Sequence, residues 1–195
     1  MKLTRKDILS YNEYLPLQPK FLQEVIKEKK VRRVQLSDKI SCLFESKLTV
    51  LFQIQEMIRL EQIVDDAYIN EMLEVYNDLL PEKDELTLTL FIEIPDQEKL
   101  REFNKNMVGI ENNVQIVFGE HIVNSYEPDG EGIKEDEYTQ SVHYLHFPFT
   151  TENKEAFLKW KDKVYLQIIH PNYQKEVILS EETVKILQKQ LQEDR

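Results

Sequence analysis

Between Phe44 and Glu61 the chain reads FESKLTVLFQIQEMIRLE, and the spacing of its apolar residues changes on the way through. Up to Phe44, the residues Ile40, Cys42 and Phe44 alternate as on one face of a strand. Beyond Ser46, Val50, Ile54, Met57 and Ile58 recur as on one side of a helix. A strand that hands over directly to a long helix commits the fold to both sheet and helix. Ser46 or Thr49 can cap that helix. On a wheel of about 100° per residue, Val50, Ile54, Met57, Ile58 and Val64 share one face, with Leu51 at its margin. Gln55, Arg59 and Gln62 project from the opposite side, and Glu56 points towards one flank. Glu61 falls within the apolar face, so a helix reaching about Val64 is expected to carry a carboxylate into its buried stripe. Such a group needs a cationic or hydrogen-bonding partner, or its pKa rises. The alternatives are a stripe that has already reached solvent at Glu61, or a structural pair with an arginine.

The rest of the chain repeats these two periodicities. Phe21, Leu22, Val25, Ile26 and Lys29 follow Pro16 and Pro19 at helical spacing, and Arg33–Leu36 with Lys39–Glu45 read as a hairpin around Ser37-Asp38. Asp65 or Asp66 caps a helix lined by Ile69, Met72, Leu73, Tyr76, Leu79 and Leu80, with Pro81 after its end. The clearest strand is Glu85–Ile94, where Leu86, Leu88, Leu90, Ile92 and Ile94 face one way and Thr87, Thr89, Phe91 and Glu93 the other. A helix capped by Asp96 carries Leu100, Phe103 and Met107 towards Gly109. Val114–Phe118 and His121–Tyr126 form a hairpin over Gly119-Glu120, where glycine in first place suits a type II′ turn. A strand at Ser141–Phe147, a short helix with Phe157 and Trp160, a hairpin of Val164–Ile169 and Lys175–Leu179, and a helix capped by Ser180 complete the series. Hairpins with interspersed helices predict an α+β fold over residues 1–195 as a single domain, a mostly antiparallel sheet packed with about five or six helices.

Composition narrows the function. The net charge of -11 opposes non-specific binding to nucleic acid or an anionic membrane. Lys27, Lys29, Lys30, Arg32 and Arg33 form the one basic run, which reads as the last turn of a helix in favourable register with its dipole. Four glycines disfavour glycine-rich phosphate loops, and no Walker, Rossmann or Gly-x-Ser-x-Gly pattern occurs. The single cysteine, Cys42, lies in an apolar alternation and reads as a buried structural thiol. No stretch approaches the roughly 18 apolar residues of a membrane span, and MKLTRKDILSYNEY lacks the apolar run of a signal peptide. A cytoplasmic protein is expected.

The histidines are His121, His143, His146 and His170. His143 and His146 stand three apart on a strand, which puts them on opposite faces, and no His-Glu-x-x-His or Glu-x-x-His pair exists. No metal site and no cofactor are expected. The stretch 127–138 holds Glu127, Asp129, Glu131, Glu135, Asp136 and Glu137, but its alignment with a calcium loop puts Tyr138 where a bidentate glutamate is needed. It reads as a mobile acidic loop.

Taken in order, RRVQLS (Arg32–Ser37), LFE (Leu43–Glu45), TVLFQIQEMIRLE (Thr49–Glu61), LTLFIEIPD (Leu88–Asp96), VGIE (Val108–Glu111), VHYLHFP (Val142–Pro148) and HPNY (His170–Tyr173) resemble a bacterial domain family of unknown function over nearly the whole chain. The family is typically encoded beside rubrerythrin-like proteins and cysteine-rich iron–sulfur oxidoreductases. The resemblance therefore implies a redox or peroxide-response setting, with such an iron-bearing protein as partner, and carries no catalytic residue. Two functions are expected from this. One is a cytosolic accessory or interaction protein with no redox centre of its own. The other is a small-ligand binder or enzyme with a carboxylate–arginine pocket around Glu56, Arg59 and Glu61, to which Arg33, Glu45, Gln53, Glu93 and His143 are further candidates.

Overall fold

A computed structural model describes residues 2–128 and 138–193. The chain opens with a 3₁₀ turn, Arg5–Asp7, and α1 (Tyr11–Tyr14). In α2 (Gln18–Arg32) Pro19 occupies the first turn, where its missing N–H costs nothing, and Lys29, Lys30 and Arg32 occupy the last. The hairpin of β1 (Arg33–Gln35) and β2 (Ile40–Phe44) then leads into α3 (Lys47–Glu61). Ser46 is its cap. The Ser46 Oγ accepts from the Thr49 N–H at 3.3 Å, and the Thr49 Oγ1 accepts from the Ser46 N–H at 2.8 Å. This reciprocal pair fixes the angle at which strand becomes helix.

α3 stops sooner than the apolar spacing suggests. Gln62 takes a left-handed conformation at φ 53, and its N–H closes the last turn on the Ile58 carbonyl. The wheel therefore ends before Val64, which is 83% exposed, and Glu61 is exposed with it. Of the alternatives open at Glu61, the one found is a stripe that has already reached solvent: a periodicity extrapolated past the cap assigns a face the backbone no longer has. Conversely Gln55, expected opposite the apolar face, is buried and holds Leu9 through both its N–H and its carbonyl. α4 (Asp66–Asn77) follows, capped by Asp65 on the Ala67 N–H.

The remaining elements are β3 (Glu85–Ile92), α5 (Gln97–Asn106), β4 (Val114–Phe118), β5 (His121–Asn124), β6 (Val142–Pro148), α6 (Thr151–Lys159), β7 (Tyr165–His170), β8 (Tyr173–Ile178) and α7 (Glu181–Glu193). Seven α-helices accompany eight strands among the described residues. The strands make two four-stranded antiparallel sheets, in the orders β1-β2-β3-β6 and β5-β4-β7-β8. The α+β fold with antiparallel hairpins is as expected; which hairpins share a sheet is decided by the fold, because alternation marks each hairpin without saying which ones pair. Tyr126 joins them: its N–H donates to the His146 carbonyl at 3.0 Å and its carbonyl accepts from the His146 N–H at 2.8 Å. Of the acidic stretch 127–138, residues 129–137 lie outside the described residues.

The inner face of the first sheet (Cys42, Phe44, Leu86, Leu88, Leu90, Leu145 and Phe147) packs into one apolar cluster with Ile116, Phe118, Leu166 and Ile168 of the second. Phe157 of α6 and Leu187 and Leu191 of α7 close it. A separate cluster joins Val50, Ile54 and Ile58 of α3 to Ile69 and Leu73 of α4 and to Leu3 and Ile8. β3 is buried on both faces, so its polar side, Glu85, Thr87 and Thr89, is covered as completely as its leucines.

Gly119 turns β4 into β5 at φ 58, while Glu120 keeps a negative φ, as a type II′ turn requires. The Trp160 ring sits where a Cβ on Gly119 would point. Gly119→Ala combines a left-handed non-glycine residue with that clash, and a loss of about 2 kcal/mol or more is expected. Thermal unfolding followed by circular dichroism checks this, and an unchanged midpoint would contradict the turn assignment.

Candidate functional site

The outer face of the first sheet carries the densest group of buried polar side chains. Glu45 continues β2 and lies beside Thr87, whose carbonyl accepts its N–H at 2.9 Å. Its residue is only 2% exposed. Oε1 accepts from the Thr89 Oγ1 at 2.6 Å, and Oε2 accepts from the Thr49 Oγ1 at 2.5 Å and the Gln53 Nε2 at 3.5 Å. These side-chain partners are all neutral. The chain places them by two rules at once: Thr49 and Gln53 are one and two helical turns beyond Glu45, and Thr89 lies on the adjoining strand. Lys29 feels the same carboxylate from farther away. Burial holds its ammonium below the usual lysine range, with Glu45 opposing that and Arg33 adding to it.

A second carboxylate lies on the same face. The Glu85 Oε2 accepts from the Glu82 N–H at 3.0 Å, and its Oε1 accepts from the Tyr126 hydroxyl at 3.3 Å. The His146 Nδ1 sits 3.1 Å from Oε2. That approach is poorly aligned, so the buried Nδ1 has no well-formed hydrogen bond. Burial pushes the Glu85 carboxyl up, but His146, the Glu82 N–H and Tyr126 outweigh it and hold it below the usual range. Tyr126 in turn is raised by burial and by Glu85.

Strand pairing sets His146 opposite Thr87, and Tyr144 opposite Thr89. Glu45, Thr87, Thr89, Tyr144 and His146 therefore pack together along one closed seam with no room for a water molecule. Tyr144 stands at its outer edge, 43% exposed, its phenol raised by burial and by Tyr76, Glu45 and Glu127. Chemically this is a sheltered carboxylate with neutral donors, a histidine and a tyrosine. Among the described residues no group of three or more His, Cys, Asp or Glu side chains is placed to hold a metal ion.

The structure gathers only part of the set expected from sequence. Glu45 and Gln53 meet. Arg33 is exposed, its guanidinium carbon 5.9 Å from the centre of the Phe91 ring. Glu56 and Arg59 pair across one turn of α3 at 2.8 Å. Glu56 also accepts from the Tyr14 hydroxyl at 2.9 Å and the Gln18 Nε2 at 3.3 Å, which fastens α1 and the start of α2 to α3. Arg59 above all holds the Glu56 carboxyl below its usual range. Glu61 and Glu93 are exposed, away from the seam around Glu45. His143 stands opposite Leu90, on the inner face, and His146 on the outer one, as their spacing requires. Sequence reasoning missed Thr49, Thr89, Glu85, Tyr144 and His146. The signal was present in the threonine side of β3 and in the Glu45–Thr49–Gln53 spacing, but neither pattern says what covers it.

His143 is a separate clasp. Its Nδ1 meets the Glu127 Oε2 at 2.7 Å, and its Nε2 lies 3.0 Å from the Gln140 carbonyl and 2.9 Å from the Thr139 Oγ1. Burial opposes charge on this ring, but Glu127, Glu111 and the Gln140 carbonyl outweigh it and raise its pKa.

An α+β protein of two antiparallel sheets with a sheltered outer-face carboxylate is the class this geometry defines. The chain belongs to the DUF3501 family of proteins of unknown function, whose model matches residues 2–191. It is similar to a novel protein of unknown function from Burkholderia pseudomallei K96243 known from a crystal structure. The TM-score is 0.89 at 29% identity, and the match covers 98% of this chain and 100% of that one. No curated protein matches the chain.

Two outcomes are expected at these sites. Glu45→Ala strands the Thr89 hydroxyl in a buried space, leaving Thr49 only its Ser46 partners, at a cost of about 2–4 kcal/mol; urea unfolding measures it, and a neutral result would remove Glu45 from the fold's supports. The raised pKa of His143 gives stability that is full below the ordinary value of 6.5 and is lost as pH rises through the higher folded value. The wild type is therefore expected to lose stability relative to His143→Gln across that rise. Parallel pH profiles would show the clasp to be inert.

Proposed function

We propose that this protein is an interaction protein that docks a partner through the tip of the α3–α4 hairpin. The observation that carries the reading is the exposure of large apolar side chains there: Leu60 66%, Val64 83% and Tyr68 47%. Leu60 lies in the last turn of α3 and Tyr68 in the first turn of α4, with Val64 between them. Single exposed apolar residues are ordinary, but several on one hairpin mark a surface that another protein covers. Aromatic and aliphatic anchors of this kind carry most of the energy of such interfaces. The partner the family resemblance implies is an iron-bearing redox protein, rubrerythrin-like or an iron–sulfur oxidoreductase, in a bacterial cytoplasm. The chain's own Cys42 supports that division of labour: full burial pushes its thiol far above the ordinary range, so it supplies no thiolate.

A second reading, small-ligand binding or proton transfer, is favoured by Glu45, a buried carboxylate with neutral donors next to the half-exposed Tyr144. Its centre is the closed seam around Glu45, which must part to admit a ligand, since Glu56 and Arg59 are already paired with each other.

The docking reading predicts that the protein co-elutes with a co-expressed rubrerythrin-like or iron–sulfur partner, seen as visible iron absorbance in its size-exclusion peak. A Val64→Asp, Tyr68→Ala double variant is expected to lose co-elution while its thermal midpoint stays within a few degrees. Retained co-elution in that variant would rule out the hairpin tip. Iron eluting in equimolar amount with the chain alone would rule out the accessory role.

A further inference from the structure

The fold contains a second surface, remote in sequence from the hairpin tip, whose chemistry runs against that of the whole molecule. Between the α6–β7 connection and the first turns of α7 lies an open groove of about 630 Å³. Its walls are apolar: Leu158, Trp160, Ile178 and Val184 line it, and Ile178 is 49% exposed. Its rim is basic. Lys159, Lys161, Lys163 and Lys185 border it against only Asp162 and Glu181, in a chain whose net charge is -11. Lys185 is in loose contact with Glu181 at 3.4 Å, and no lysine–carboxylate pair within the described residues engages Lys159, Lys161 or Lys163.

The groove is also held rigidly. Trp160 packs against Phe118 with ring centres 5.7 Å apart, and its Nε1 donates to the Lys163 carbonyl at 3.1 Å. The Gln188 Nε2 donates to the Phe157 and Trp160 carbonyls at 2.7 and 3.0 Å, which pins the lysine-bearing connection to α7. The tryptophan wall and the positions of the lysines therefore exist before any partner arrives, which lowers the entropic cost of docking.

We infer that this groove binds a short acidic peptide segment of a partner protein, its apolar side chains against Trp160 and Ile178 and its carboxylates against the lysine rim. Charge complementarity selects that occupant. An acidic peptide finds here a lysine rim directly beside an exposed apolar wall. A nucleic acid or an anionic bilayer presents a charged surface far wider than the groove, and it meets the repulsion of the whole acidic molecule. This goes beyond the hairpin-tip reading and stands independently of it.

Trp160 is the chain's only tryptophan, so its emission reports directly on the groove. The full chain is titrated with a capped synthetic peptide of glutamates and leucines, with the same peptide carrying lysine for glutamate, with a single-stranded oligonucleotide and with phosphatidylserine vesicles. The expected result is a saturable emission change with the acidic peptide that weakens as salt is raised. Lys161→Glu with Lys163→Glu is expected to weaken binding about tenfold or more, with thermal unfolding unchanged because both side chains are exposed. No saturable response to the acidic peptide, equal affinity for the lysine peptide, tighter binding of oligonucleotide or vesicles, or an unaffected double variant would each overturn the inference.

Discussion

The structure depends on a polar layer that must be satisfied without water. β3 is covered on both faces, so Glu85, Thr87 and Thr89 enter the interior together with the leucines that alternate with them. An unpartnered polar group there costs more than a hydrogen bond returns. Each is answered from a neighbouring element: Thr87 by the Leu79 carbonyl at 2.7 Å, Thr89 by Glu45, and Glu85 by the Glu82 N–H and Tyr126. These bonds dictate where the α3–α4 layer can lie, because only one placement brings Thr49, Gln53 and Leu79 to their partners.

That placement has consequences at both ends of the molecule. Docking α3 through Ser46 and Thr49 buries Val50, Ile54 and Ile58 and sends its last turn outward, which leaves Leu60 and Val64 on a tip beyond the sheet. On the other side, the inner face of the same sheet shares its core with the second sheet, and α6 and α7 close that core. The Trp160 connection is held between α7 and the β4–β5 turn as a by-product of the closure.

Much of this was legible in the sequence, for definite reasons. Caps at Ser46, Asp65, Asp96 and Ser180, the glycine turn at Gly119, and the alternation along β3 are local signals, set within a few residues, and each falls where the spacing indicates. Glu45 and Gln53 were singled out and do meet. Glu61 shows the limit of such reading. Its place on the wheel holds, since Glu61 is the last residue of α3, but the left-handed Gln62 ends the helix there and the stripe has already reached solvent.

The sequence by itself determined the elements and their order, because periodicity, capping and turn chemistry act between near neighbours in the chain. It also determined the acidic balance and the lone thiol. Only the tertiary structure decided that the strands divide into two sheets, that the threonine side of β3 is interior, and that Glu45, Tyr144 and His146 meet along one seam. Those facts come from which faces are covered and by what, and coverage is a property of distant segments meeting in space. A threonine facing water and a threonine facing a buried carboxylate are the same letter until the fold supplies the neighbour.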